Sequence, residues 1–97
     1  GRKMTEEFLA LIVGEIREDY QIPPYTDDYV IMRSVEKCAA RLESLRPGAD
    51  FENDALGRSY LKDFVYYDMV HRYEEFLQNY GPDIRAWQLS EVVADAT

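Results

Sequence analysis

One cysteine, one histidine and one tryptophan appear in this chain of 97 residues. With Cys38 alone, no internal disulfide can form, so nothing points to an oxidising compartment. With His71 alone, the paired histidines or thiolates of the strong zinc patterns are missing, and only Asp68 and Glu75 lie within a turn of it. His71 therefore reads as a half-exposed helical residue. Positive charge is scarce too: 11 Lys+Arg against 19 Asp+Glu, a net charge of −8. The deficit is shared, with 7 basic against 10 acidic residues up to Asp50 and 4 against 9 after it. That balance argues against non-specific binding to nucleic acid or to an anionic membrane face. No apolar run approaches the roughly 18 residues of a membrane span, and no secretory signal is present, so the chain reads as soluble and intracellular. Residues 1–3 read as an added leader before a start at Met4, and residues 4–97 as one helical domain.

Groups for catalysis are equally thin. The adjacent pairs Asp27-Asp28 and Glu74-Glu75 point about 100° apart on a helix, which suits solvation or helix-start electrostatics better than acid–base work. Cys38 falls on an apolar helical stripe with no basic neighbour on that face to lower its pKa. No catalytic residue, cofactor or metal is expected.

What the chain does have is helical punctuation and a surplus of tyrosine. Hydrophobic residues make up 46% and charged residues 31%, the balance of a globular domain. The prolines of "QIPPY", the "RPG" after Leu45 and the "YGP" at Tyr80 break the chain into segments of helical length. The first covers about residues 5–19, with Thr5 as N-cap, Glu6 and Glu7 in the first turn, and Phe8, Ile12 and Ile16 as its stripe. The second covers about residues 26–46, with Thr26 as N-cap. Its Ile31, Val35, Cys38, Leu42 and Leu45 keep the 4-3-4-3 spacing of one buried face.

The third segment begins between residues 54 and 59 and runs to about residue 80. Two stripes share it: Tyr66, Val70, Tyr73, Leu77 and Tyr80, and beside them Leu61, Val65, Met69 and Phe76. A helix apolar over so much of its circumference packs on more than one side. The fourth opens at Gly81 with Pro82 suited to its first turn, and places Ile84 and Trp87 on one face. No window alternates as a strand does. The expected fold is all-α, a compact bundle of about four helices with a long central third helix, and a core that includes Ile31, Val35, Cys38, Leu42, Phe51, Val65 and Trp87.

Two features point outward. Arg33, Lys37 and Arg41 form a like-charged ridge away from the apolar stripe of the second helix, which suits an acidic protein neighbour better than DNA. Eight tyrosines, four phenylalanines and a tryptophan exceed what one small core easily absorbs. Tyrosine is also a residue type that dominates protein interfaces, and Tyr66 and Tyr73 are candidates for such contact.

The order of these segments is familiar. An acidic break "QIPPYTDD" precedes a long second helix, then "PGADFE", then "RSYLKDFVYYDMVHRYEEF", then "DIRAWQL". Over about residues 6–91 this resembles the small head–tail connector proteins of tailed bacteriophages and prophages, the adaptor proteins of QLRG type. After Gln88-Leu89 the chain departs from that pattern, reading Ser90-Glu91. The resemblance implies a structural virion protein rather than an enzyme. It implies a ring homo-oligomer, of about twelve subunits when assembled, docked beneath the portal protein. Such a ring extends the channel for genome DNA, which passes without specific binding, and receives the next neck or tail protein. Its place is the virion neck, and the host cytoplasm during assembly. On that reading the ridge Arg33, Lys37, Arg41 faces one neighbour, while acidic residues such as Asp63 and Glu74 face the other. Composition alone also accommodates a small acidic intracellular module that binds and regulates one protein partner.

Overall fold

The computed structural model describes the backbone of residues 4–96 and the side chains of residues 4–90. The expected leader, residues 1–3, lies outside the described residues. Among them five helices and no strands occur: α1 Glu6–Asp19, α2 Asp28–Leu45, α3 Ala55–Met69, α4 Tyr73–Asn79 and α5 Gly81–Ala96. The chain is an all-helical, compact globule.

Local chemistry sets most boundaries. The Thr5 hydroxyl accepts from the Phe8 amide at 3.1 Å and caps α1. The cap of α2 is Asp27 rather than the expected Thr26: its carboxylate accepts from the Tyr29 amide at 2.9 Å. The Thr26 carbonyl is instead held by Arg17 at 2.6 Å. Pro47 and Gly48, the latter at φ 85°, turn the chain after α2. The loop that follows ends in Asp54, which caps α3 through the Leu56 amide.

The long third helix does not form as one piece. It ends at Met69, and a separate seven-residue α4 begins at Tyr73. His71 sits in the left-handed region at φ 63°. Its amide bonds the Asp68 carbonyl at 3.0 Å and the Arg72 amide reaches back to Tyr67 at 2.8 Å. These paired bonds close the end of α3. The same device ends α1, with Gln21 at φ 53° and the Ile22 amide bonded to the Arg17 carbonyl. The longest helix is therefore α2, while α3 is the central one, packed on α1, α2 and α4.

The core gathers Phe8, Ile12, Val13 and Ile16 from α1 with Ile31, Val35, Cys38 and Leu42 from α2. Leu61, Phe64 and Val65 of α3 meet them, and Phe76, Ile84 and Trp87 close the far side. Phe64 lies on neither apolar stripe read from the sequence, yet it is fully buried and stacks on Phe76 with ring centroids 4.2 Å apart.

Candidate interaction surface

Phe51 is the apolar pin of an otherwise polar loop. It is buried 6.4 Å from the Trp87 ring, ring centre to ring centre. Arg58 holds the same loop by donating to the carbonyls of Phe51 at 3.2 Å and Glu52 at 3.0 Å. Asp54, besides capping α3, accepts from the Trp87 indole at 2.7 Å and from Arg46 at 3.3 Å. The Arg46 guanidinium lies over the Trp87 ring at 4.9 Å. Gly57 makes this corner possible: a Cβ there would stand 2.9 Å from the Asp54 carboxylate and 3.1 Å from the indole.

The basic ridge on α2 divides into three different environments. Lys37 donates to Asp68 at 2.8 Å and its ammonium lies 4.6 Å from the centre of the Tyr73 ring. Donating this hydrogen bond to Asp68 raises the Lys37 pKa. Asp68 also accepts from the buried Ser34 hydroxyl at 2.6 Å, so this carboxylate joins α2 to α3. Arg33 stays exposed, donating to the Tyr29 hydroxyl at 3.1 Å and lying over that ring. Arg41 is exposed and makes no side-chain hydrogen bond or ion pair with the described residues.

The acidic candidates also separate. Asp63 faces inward, accepting from the hydroxyls of Tyr20 and Tyr80, the latter at 3.0 Å. Burial first, and the Asp63 carboxylate next, push both phenol pKa values up, that of Tyr80 to about 12. A carboxylate with two tyrosine hydroxyls on it is not a free rim charge. Glu74 is exposed but stands on α4, across the break from Asp63. Tyr66 is partly exposed and stacks on Tyr20 at 4.8 Å. Tyr73 leans on Phe64 at 4.7 Å.

Asp68 and Arg72, spaced i, i+4, would pair on one unbroken helix, but α3 ends between them. Arg72 pairs instead with Glu75, Nε to Oε2 at 2.5 Å. His71 is exposed on the turn rather than on a helix. Among the described residues no group of three or more His, Cys, Asp or Glu side chains is placed to hold a metal ion. Burial pushes the Cys38 thiol up to about 12, which makes it a poor nucleophile.

Exposed apolar side chains that the periodicity did not single out cluster where α2 begins. Tyr25 is 88% exposed, and Tyr29 and Val30 are more than half exposed. Val30 then lines a shallow groove with Arg33, Lys37, Met69 and His71. The one sequence signal for this edge was the pair of prolines, which breaks the helix before Tyr25. No helix among the described residues is long and apolar enough to cross a membrane. Comparisons with protein-family models, with curated proteins and with solved structures found no match to this chain.

Proposed function

We propose that this protein is a head–tail connector of a tailed bacteriophage or prophage. It assembles as a ring beneath the portal, extends the DNA channel and joins capsid to tail. The observation that carries this reading is the ordered run from "QIPPYTDD" through "PGADFE" and "RSYLKDFVYYDMVHRYEEF" to "DIRAWQL", which resembles that family over most of the chain. The role calls for a rigid helical unit with distinct lateral surfaces, not for a reaction centre. A closing ring needs two different faces on each subunit. Arg33, exposed beside Tyr29 and Val30, and Arg41, exposed further along α2, supply one face with charge for orientation and apolar area for affinity. Glu74, exposed on α4, remains an acidic candidate for contact with a neighbour. Asp63 drops out as one, since its oxygens hold Tyr20 and Tyr80.

Lys37 is a poor choice for a charge-reversal test, because its reversal sets a second carboxylate against Asp68. Arg33→Glu with Arg41→Glu leaves the internal ion pairs intact. This double variant should keep wild-type helicity by circular dichroism and lose association with the portal, read by co-purification and electron microscopy. Normal head–tail joining by phage carrying it would remove the ridge from the interface. Failure of the wild-type protein to bind portal at any concentration would remove the connector reading itself.

A further inference from the structure

Between Met69 and Tyr73 the chain turns at a place where its sequence does not require a turn. No glycine or proline occurs from Arg58 to Tyr80. The turn is made by His71 at φ 63°, and Arg72, at the start of α4, supplies no side-chain cap. Left-handed backbone is disfavoured for residues with a Cβ, although histidine tolerates it better than most. The apolar spacing meanwhile runs straight through the turn: Tyr66, Val70, Tyr73, Leu77 and Tyr80 keep the register of a single helix. Packing holds the bend. Phe76 and Tyr73 lie on Phe64 at 4.2 and 4.7 Å, and the Tyr80 hydroxyl reaches Asp63 at 3.0 Å. Beyond α4, Trp87 bonds Asp54 and Gln88 bonds the Leu45 carbonyl at 2.6 Å. Each of these contacts joins the arm α4–α5 to the body α1–α3, and none requires arm and body to belong to one copy.

We propose that two copies of this chain exchange their α4–α5 arms, with residues 70–72 straightening so that α3 and α4 become one helix. The surface of α3 that receives the arm, centred on Phe64 and Asp63, is then an interaction surface whose partner is a second copy. Every arm-to-body contact is remade between copies, so exchange neither gains nor loses core. What changes is the hinge, where each chain sheds one left-handed residue and gains the backbone bonds of a continuous helix. A straightened chain by itself would leave Phe64, Phe76 and Trp87 uncovered, so the straight form requires the partner. The exchange is two-fold and closes on itself. It stands independently of the connector reading, since it uses only this chain's own core.

Light scattering over a concentration series, on wild-type, His71→Gly and His71→Ala protein equilibrated through denaturant, tests it. Glycine relaxes the turn, whereas alanine disfavours it and favours the straight helix. The dimer dissociation constant should therefore be about tenfold or more lower for His71→Ala than for His71→Gly, with wild type between. Mixed isotope-labelled and unlabelled His71→Ala dimer should show nuclear Overhauser contacts between Phe64 of one copy and Phe76 of the other. The proposal is overturned if all three proteins stay monomeric to millimolar concentration, or if a dimer forms in which the Phe64–Phe76 contact stays within each chain.

Discussion

The same substitution, glycine to alanine, should change stability in opposite directions at two helical positions. Gly14, in α1, is exposed, and a Cβ there would meet nothing within 4 Å. Alanine is favoured over glycine in a helix interior by about 1 kcal/mol, so Gly14→Ala should stabilise by about 0.5–1 kcal/mol. Gly57 gains the same propensity but meets Asp54 Oδ2 at 2.9 Å and Trp87 Cζ2 at 3.1 Å. One of them must move. If Asp54 shifts, α3 loses a cap worth about 1 kcal/mol. The Trp87 indole then loses its acceptor in the interior, costing about 1–3 kcal/mol. Net of the propensity gain, Gly57→Ala should destabilise by about 1–3 kcal/mol, several degrees in melting temperature for a domain of this size. Urea unfolding followed by far-UV circular dichroism and by Trp87 fluorescence reads both variants. In an Asp54→Ala background the Gly57→Ala cost should shrink, because the group it strikes is gone. Gly57→Ala protein as stable as Gly14→Ala protein would refute the tight Asp54–Trp87 corner.

Other outcomes follow from the same packing. Leu42 is fully buried on α2, so Leu42→Ala should cost on the order of 2–5 kcal/mol in urea unfolding, and a loss below about 0.5 kcal/mol would contradict that burial. The raised pKa values of Tyr20 and Tyr80 favour the neutral phenol in the fold. Their contribution should be complete below about pH 10, the unfolded value, and be lost as pH rises through the folded values, about 12 for Tyr80. Tyr80→Phe should flatten that alkaline decline, and an unchanged slope would show that Tyr80 does not cause it. Cys38, with its thiol pushed up to about 12, should react with a disulfide reagent near neutral pH only as fast as the protein opens. Rapid labelling of the native protein would contradict its burial.

How far the fold can be read from the sequence depends on whether the deciding interaction is local. Thr5 caps α1 through an amide three residues away, and the stripe Ile31, Val35, Cys38, Leu42 records one buried face within one helix. Both are visible in a short window. The break after Met69 is not, because no Gly or Pro marks it; it is enforced by Phe76 folding back onto Phe64. Propensity over residues 58–80 favours a single helix, and tertiary packing overrides it. The surface shows the same division. The spacing of Arg33, Lys37 and Arg41 is plain in the sequence, yet the Lys37 partner Asp68 lies 31 residues away. Asp63 finds Tyr20 across 43 residues. No periodicity carries that information, which is why two of the residues read as outward-facing charges turn out to be internally engaged.

Those engaged carboxylates share a pattern that bears on how the chain selects one packing. Asp54, Asp63 and Asp68 stand at the start, middle and end of α3, and each takes donors from a different part of the bundle. Asp54 accepts from Trp87 of α5 and from Arg46 just after α2. Asp63 accepts from Tyr20 just after α1 and Tyr80 just after α4. Asp68 accepts from Ser34 and Lys37 of α2. Apolar stripes alone let a helix slide or rotate by a turn at modest cost, since leucine-like surfaces fit one another in several registers. A half-buried carboxylate does not, because moving it off its donors strands a charge at the interface. Three such points along one central helix fix the offset of every neighbour. They also change the meaning of the net charge of −8. Part of it is internal mortar rather than a repulsive coat, so the acidity left at the surface comes from helix starts such as Glu6, Glu7 and Glu74.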